Sequence, residues 1–204
     1  MTTPSFLRPL LLAVALSAAV AGCATTGPRS TSVVAPYSDK TELTGRLTIN
    51  FSRDGKKESM TGKYDWQQDK ENVNVSLTSP LGQMIAVIKV TPHSATLTQG
   101  DKAPPQTAPN VDALTQKALG WTLPVSGLRY WLQGYATDSD GKPFTASPAN
   151  DTVITRDGWK LEYVDWQDEK AAVPKPKLIY ATRLALGQAV DDMNIRIFID
   201  APDR

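Results

Sequence analysis

The sequence predicts a mainly β protein with a few short α-helices, in which an antiparallel sheet curls around an apolar interior. Three observations carry this expectation. Several segments alternate apolar and polar residues with period two, Asp-Gly dipeptides stand between such segments, and two short amphipathic stretches interrupt them. Period-two alternation gives a sheet one apolar and one wet face, which is the habit of antiparallel sheets.

The strand pattern starts near Glu42. Leu47, Ile49 and Phe51 alternate with Thr48 and Asn50, and Tyr64 and Trp66 alternate with Asp65 and Gln67. Val73, Val75 and Leu77 alternate with asparagine, serine and threonine, and Met193, Ile195, Ile197 and Ile199 repeat the pattern near the C-terminus. Arg53-Asp54-Gly55-Lys56 and Arg156-Asp157-Gly158-Trp159 are hairpin signals, because a two-residue turn needs positive φ and Asp-Gly supplies it. Met84 to Val90 is nearly all apolar and reads as a strand covered on both faces. A helix is expected over Val111–Leu119, capped by Asn110 and stopped by Gly120. A second is opened by Pro124 and Ser126, points Leu128, Trp131 and Leu132 inward, and ends at Gly134. Helices of this kind would cover the apolar face of a curved sheet, and such a sheet can enclose a ligand cavity.

The N-terminus is organised differently. Arg8 is the only charged side chain before Arg29, and Leu10 to Val20 is an unbroken run of apolar and small residues. That run is shorter than the roughly 20 residues of a membrane-spanning helix and fits a secretory signal. It ends in Val20-Ala21-Gly22-Cys23, the pattern of a bacterial lipobox, in which the thiol forms a thioether to diacylglycerol. Cys23 is the only cysteine, so no internal disulfide competes for it. Residues 1–22 are therefore expected to be a cleaved signal peptide, with Cys23 as the lipidation site. Ala24 rather than aspartate after the cysteine points to the outer membrane. Residues 23–41, rich in Thr, Ser, Pro and Gly, read as a flexible linker reaching at most about 55 Å. Residues 42–204 are expected to form one domain.

Composition narrows the function. Removing residues 1–22 removes only Arg8, leaving 21 bases against 21 acids. A neutral chain without a basic stripe argues against nucleic acid as a partner. The one histidine, His93, sits in Thr91-Pro92-His93-Ser94 and reads as a turn residue. No metal-ligand spacing, phosphate loop or nucleophile elbow occurs, so neither an enzyme nor a cofactor is expected. Asp138-Ser139-Asp140 and Asp191-Asp192 read as solvated turns.

One apolar residue resists a core reading. In Ser79-Pro80-Leu81-Gly82, Pro80 and Gly82 make a turn and place Leu81 at its tip. Either Leu81 folds back on the sheet, or it forgoes about 1.5–3 kcal/mol of burial for a purpose such as touching a membrane or an acyl chain.

Together these segments resemble the LolB family of outer-membrane lipoprotein receptors. The resemblance runs through Thr44-Gly45-Arg46, Trp66-Gln67-Gln68 and Leu77-Thr78-Ser79-Pro80-Leu81-Gly82. It continues through Leu123-Pro124-Val125, Leu128, Trp131-Leu132 and Gly134, and then Trp159-Lys160 with Tyr163. Ser79 departs from the asparagine common in the family but keeps the turn chemistry. The resemblance implies an incomplete, half-closed antiparallel β-barrel covered by helices and enclosing an apolar cavity. It implies a monomer that takes acylated lipoproteins from the periplasmic carrier LolA and inserts them into the inner leaflet of the outer membrane. Pro80, Leu81 and Gly82 then form a membrane-insertion loop. Phe51, Tyr64, Trp66, Val75, Leu77, Leu128, Trp131, Ile195 and Ile197 are the residues expected to line the acyl-chain cavity. The residues alone leave three other classes open: a lipid-anchored binder of a diffusible hydrophobic ligand, a structural or assembly lipoprotein and, weakest for want of a nucleophile–base pair, a lipid-processing enzyme.

Overall fold

A computed structural model describes residues 28–100, 104–119, 123–184 and 191–202. Signal residues 1–22, Cys23, Gly120 and Trp121 lie outside them. In chain order the elements are β1 (Lys40–Arg53), β2 (Lys56–Asp69), β3 (Asn72–Thr78), β4 (Met84–Thr91), β5 (Ser94–Gln99) and β6 (Gln106–Ala108). Then follow α1 (Val111–Leu119), α2 (Val125–Trp131), β7 (Tyr135–Thr137), β8 (Pro143–Thr145), β9 (Thr152–Ile154), β10 (Trp159–Trp166), β11 (Pro176–Arg183) and β12 (Asp191–Ile199).

Ten strands form one sheet in the order β6-β5-β4-β3-β2-β1-β12-β11-β10-β9, and β7-β8 is a separate hairpin. The last strand therefore lies beside the first, with Leu47 opposite Ile197 and Ile49 opposite Ile195. Edge strands β6 and β9 do not pair, so the sheet stays open as a half-barrel. Both edges are only three residues long, which limits the unpaired backbone they present.

Local chemistry explains the elements. Asp54 and Gly55 take φ of 51° and 73° in the β1–β2 turn, as their sequence demands. Asn110 Oδ1 accepts from the Ala113 amide at 2.8 Å and caps α1. α2 starts after Pro124 without a side-chain cap. Ser126 instead donates its hydroxyl to Asp112 at 3.0 Å and ties α2 to α1. Gly45 is required where β1 crosses the Tyr64 ring. A Cβ there would sit 2.0 Å from the Phe198 carbonyl and 2.7 Å from the Tyr64 hydroxyl.

The alternating residues face inward as expected. Ile49, Tyr64, Trp66, Val75, Ile195 and Ile197 are buried and belong to one continuous core, with Leu77 packed against it. His93 is exposed in the β4–β5 turn, and Asp138 accepts from the amides of Asp140 and Lys142 in a solvated turn.

Three expectations are corrected. Met84–Val90 is not covered on both faces: Ala86 and Ile88 are buried, whereas Met84 and Lys89 are exposed, so the apolar run hid a one-sided strand. Asp191-Asp192 lies in β12 rather than in a turn. The third concerns the linker. Residues 29–38 do not hang free but lie along the domain as a strap. Val34 is 5% exposed and its amide donates to the Ala146 carbonyl at 3.2 Å. Tyr37 stacks on Tyr130 at 5.3 Å, and Arg29 pairs with Asp151 and Glu169. Val34 and Tyr37 give the Ser/Thr/Pro-rich segment something to bury, which average composition concealed.

Antiparallel connection sorts the loops to two ends. The β1–β2, β3–β4 and β9–β10 turns share one end. The β2–β3, β4–β5 and β10–β11 connections share the other, where the strap passes from Lys40 towards Glu169.

Candidate functional site

The inner face of the half-barrel meets the helices in a wholly apolar space. Leu47 and Ile49 come from β1, Tyr64 and Trp66 from β2, Val75 and Leu77 from β3, Ile88 from β4, and Ile195 and Ile197 from β12. Leu123, Val125, Leu128 and Leu132 close it from the helical side. The strands present these residues because each is two positions from the next, so one pleat face carries them all.

The space is small, about 50 Å³. A dry cavity of about 150 Å³ is needed to hold one benzene ring. The apolar cavity expected from the sequence, of a volume the sequence left open, is narrow in this conformation, because the side chains of α2 and the segment before it fill the half-barrel.

Seven of the nine expected lining residues are at this wall: Tyr64, Trp66, Val75, Leu77, Leu128, Ile195 and Ile197. Phe51 and Trp131 are not. Phe51 is buried near the Asp54-Gly55 end of β1, beyond the space. Trp131 turns towards Trp159, with ring centroids 5.9 Å apart, and its carbonyl accepts from the Tyr163 hydroxyl at 3.1 Å. It anchors α2 rather than lining the space. Leu47, Ile49, Ile88, Leu123, Val125 and Leu132 complete the wall and were absent from the expected set, although alternation already turned Leu47 and Ile49 inward. Leu132 already read as inward, and Ile88 was masked by the apolar run of β4.

The wall carries no charge. Burial pushes the Tyr64 phenol up, and the nearby Asp200 carboxylate adds to the effect. Burial likewise pushes up the phenol of the fully enclosed Tyr163. At the α1–α2 junction, burial raises the Asp112 carboxyl, partly offset by the Ser126 hydroxyl bond.

The β3–β4 turn is a second feature. Ser79 bonds the Gln83 carbonyl through its amide at 2.8 Å and accepts the Gly82 amide on its own carbonyl at 2.9 Å. Gly82 takes φ of 84°, a conformation costly for any residue with a Cβ. Leu81 at the tip is 89% exposed, and Met84 beside it is 49% exposed. Of the two conformations left open by the sequence, the bare one is found.

Among the described residues no group of His, Cys, Asp or Glu could hold a metal ion, and no helix is long and apolar enough to cross a membrane.

An open antiparallel sheet curled beneath two helices, apolar on its inner face, defines the chain as a helix-covered half-barrel. The model of the family described as outer membrane lipoprotein LolB matches residues 39–201, and the chain belongs to this family. The outer-membrane lipoprotein LolB of Cupriavidus pinatubonensis is 37% identical over 181 residues, covering 84% of this chain and 85% of the relative. That of Cupriavidus taiwanensis is 35% identical over 200 residues, covering 95% and 96%. The solved structure of a LolA superfamily protein from Nitrosomonas europaea is a distant likeness. It has a TM-score of 0.41 and 8% identity, over 83% of this chain and 87% of that one.

Proposed function

We propose that this chain is an outer-membrane lipoprotein receptor. It is anchored through lipidated Cys23 after removal of residues 1–22, and its domain faces the periplasm. It accepts acylated lipoproteins from the carrier LolA and places them in the inner leaflet of the outer membrane. The observation that carries the reading is the wholly apolar face shared by the sheet and the helices, supported by the family membership.

Each buried methylene of an acyl chain is worth about 0.8 kcal/mol, so acylated cargo cannot cross water uncovered. The inner face supplies the cover once α1 and α2 lift. The Ser126–Asp112 bond joins the two helices, so they move as one lid. Transfer runs downhill only if the receptor holds the chains more tightly than the carrier and the bilayer holds them more tightly still. Pro80, Leu81 and Gly82 form the tip that enters the bilayer at release.

A photocrosslinker in place of Leu77, on the wall, tests the cavity. It should capture acylated lipoprotein delivered by carrier, and not the deacylated form. Equal capture of both would remove the acyl-chain role of the inner face.

A further inference from the structure

A second, larger cavity lies at the end of the half-barrel crossed by the strap. It measures about 800 Å³. Strap residues Val34 and Pro36 form one side, and the ends of β1, β2 and β12 with the β10–β11 loop form the others. Trp66 and Leu132 belong to its wall and also to the wall of the apolar space. These two side chains therefore stand between the cleft and the apolar interior.

Its lining differs in kind from the interior. The strand ends bring Glu42, Asp65 and Asp200 to its lining, against the single base Lys175. Among the described residues no ion pair joins the three carboxylates to a base. A compartment of mixed polarity beside an apolar one suits a ligand with the same division. An acylated lipoprotein has that division: the chains are attached to an N-terminal cysteine, and an extended polar peptide follows immediately.

We propose that this cleft binds the peptide segment following the acylated cysteine of the cargo, with a preference for basic over acidic segments. The inference rests on the receptor reading above and deepens it. When the helices lift and the chains enter past Trp66 and Leu132, the cargo peptide lies between the strap and the strand ends. The strap is the receptor's own segment downstream of Cys23, and it already runs along this cleft in extended form, its Val34 amide bonded to Ala146. The carboxylates attract a basic peptide and repel an acidic one, and salt weakens both effects.

The test uses two synthetic triacylated lipopeptides, Cys-Ser followed by four lysines or by four glutamates, bound to the whole chain and followed by tryptophan fluorescence. The lysine form should bind roughly tenfold more tightly at low ionic strength, the scale expected of a few partly screened charge pairs. The difference should collapse in Glu42→Gln/Asp65→Asn/Asp200→Asn and widen in Lys175→Glu. Asp138→Asn/Asp140→Asn, remote from the cleft, should leave it unchanged. Equal affinities, or a difference that survives the triple substitution, would overturn the cleft proposal while leaving the receptor reading intact. If neither lipopeptide binds, the receptor reading itself falls and takes this inference with it.

Discussion

Leu77 and Leu81 are four residues apart and meet opposite fates. Leu77 closes β3 on the inner pleat face and packs under the helices, whereas Leu81 stands 89% exposed at the tip of the next turn. Hydrophobicity does not distinguish them. The strand period delivers Leu77 to a surface that another element covers. The Ser79 bonds and the left-handed Gly82 hold Leu81 beyond any such surface. One region uses apolar side chains to close on itself; the other leaves one in water.

Substitutions should reproduce that contrast. Trp66 is 2% exposed on the wall, so Trp66→Ala should cost about 3–5 kcal/mol in urea unfolding, the usual range for removing a buried aromatic. A loss below about 1 kcal/mol would mean that the wall is already loose in the empty receptor. Asn110→Ala removes the cap of α1 and should cost about 1 kcal/mol. It should also speed acceptance from the carrier if the helices form the lid, which stopped-flow mixing with loaded carrier would show.

A smaller effect is expected on the wet face. Lys177, bonded to Asp165 at 2.8 Å, holds that carboxyl below its ordinary range. The stability it adds is present above the unfolded carboxylate pKa and is lost as the pH falls through the lower folded value. Lys177→Ala should therefore lower the melting temperature at neutral pH and not at the acid end. The pair is partly exposed, so the change should stay below about 1 kcal/mol.

The smallest change in stability should accompany the largest change in delivery. Leu81→Glu should shift unfolding by less than about 0.5 kcal/mol, because the side chain loses no contacts. Acceptance from loaded carrier should persist, and transfer to liposomes should fail, since a carboxylate at the tip is costly to insert into hydrocarbon. Wild-type delivery would remove the insertion role. Unfolding would show that Leu81 belongs to the core.

The two regions also differ in how far the sequence revealed them. Alternation placed Tyr64, Trp66, Val75, Ile195 and Ile197 on one face because period two fixes their relative orientation, whatever the sheet packs against. It could not say how far along a strand the covered zone extends, so Phe51 was assigned to a wall that ends before it. Trp131 failed for another reason: a seven-residue helix has two apolar sides, and only the position of Trp159 decides which one an indole takes. The turn chemistry of Ser79 to Gly82 was legible, but whether Leu81 folds back depends on neighbours distant in sequence. The strap was concealed for the same reason, since Ser, Thr and Pro dominate its composition while Val34 and Tyr37 determine its behaviour.

The docked strap has a consequence for how weak a membrane contact can be and still serve. With residues 29–38 held on the domain, six residue steps separate Cys23 from Arg29, a span of at most about 20 Å. A lone leucine entering hydrocarbon gains about 1.5–3 kcal/mol, which corresponds to an affinity weaker than millimolar. Such a contact would not hold a freely diffusing protein at a surface. On the proposed anchor the encounter is intramolecular, but the strap leaves from the end of the half-barrel opposite the β3–β4 turn, so the tip meets the bilayer when the domain lies along the surface. The tip can then touch the bilayer often and leave easily, as a protein that must unload one cargo and return for the next requires.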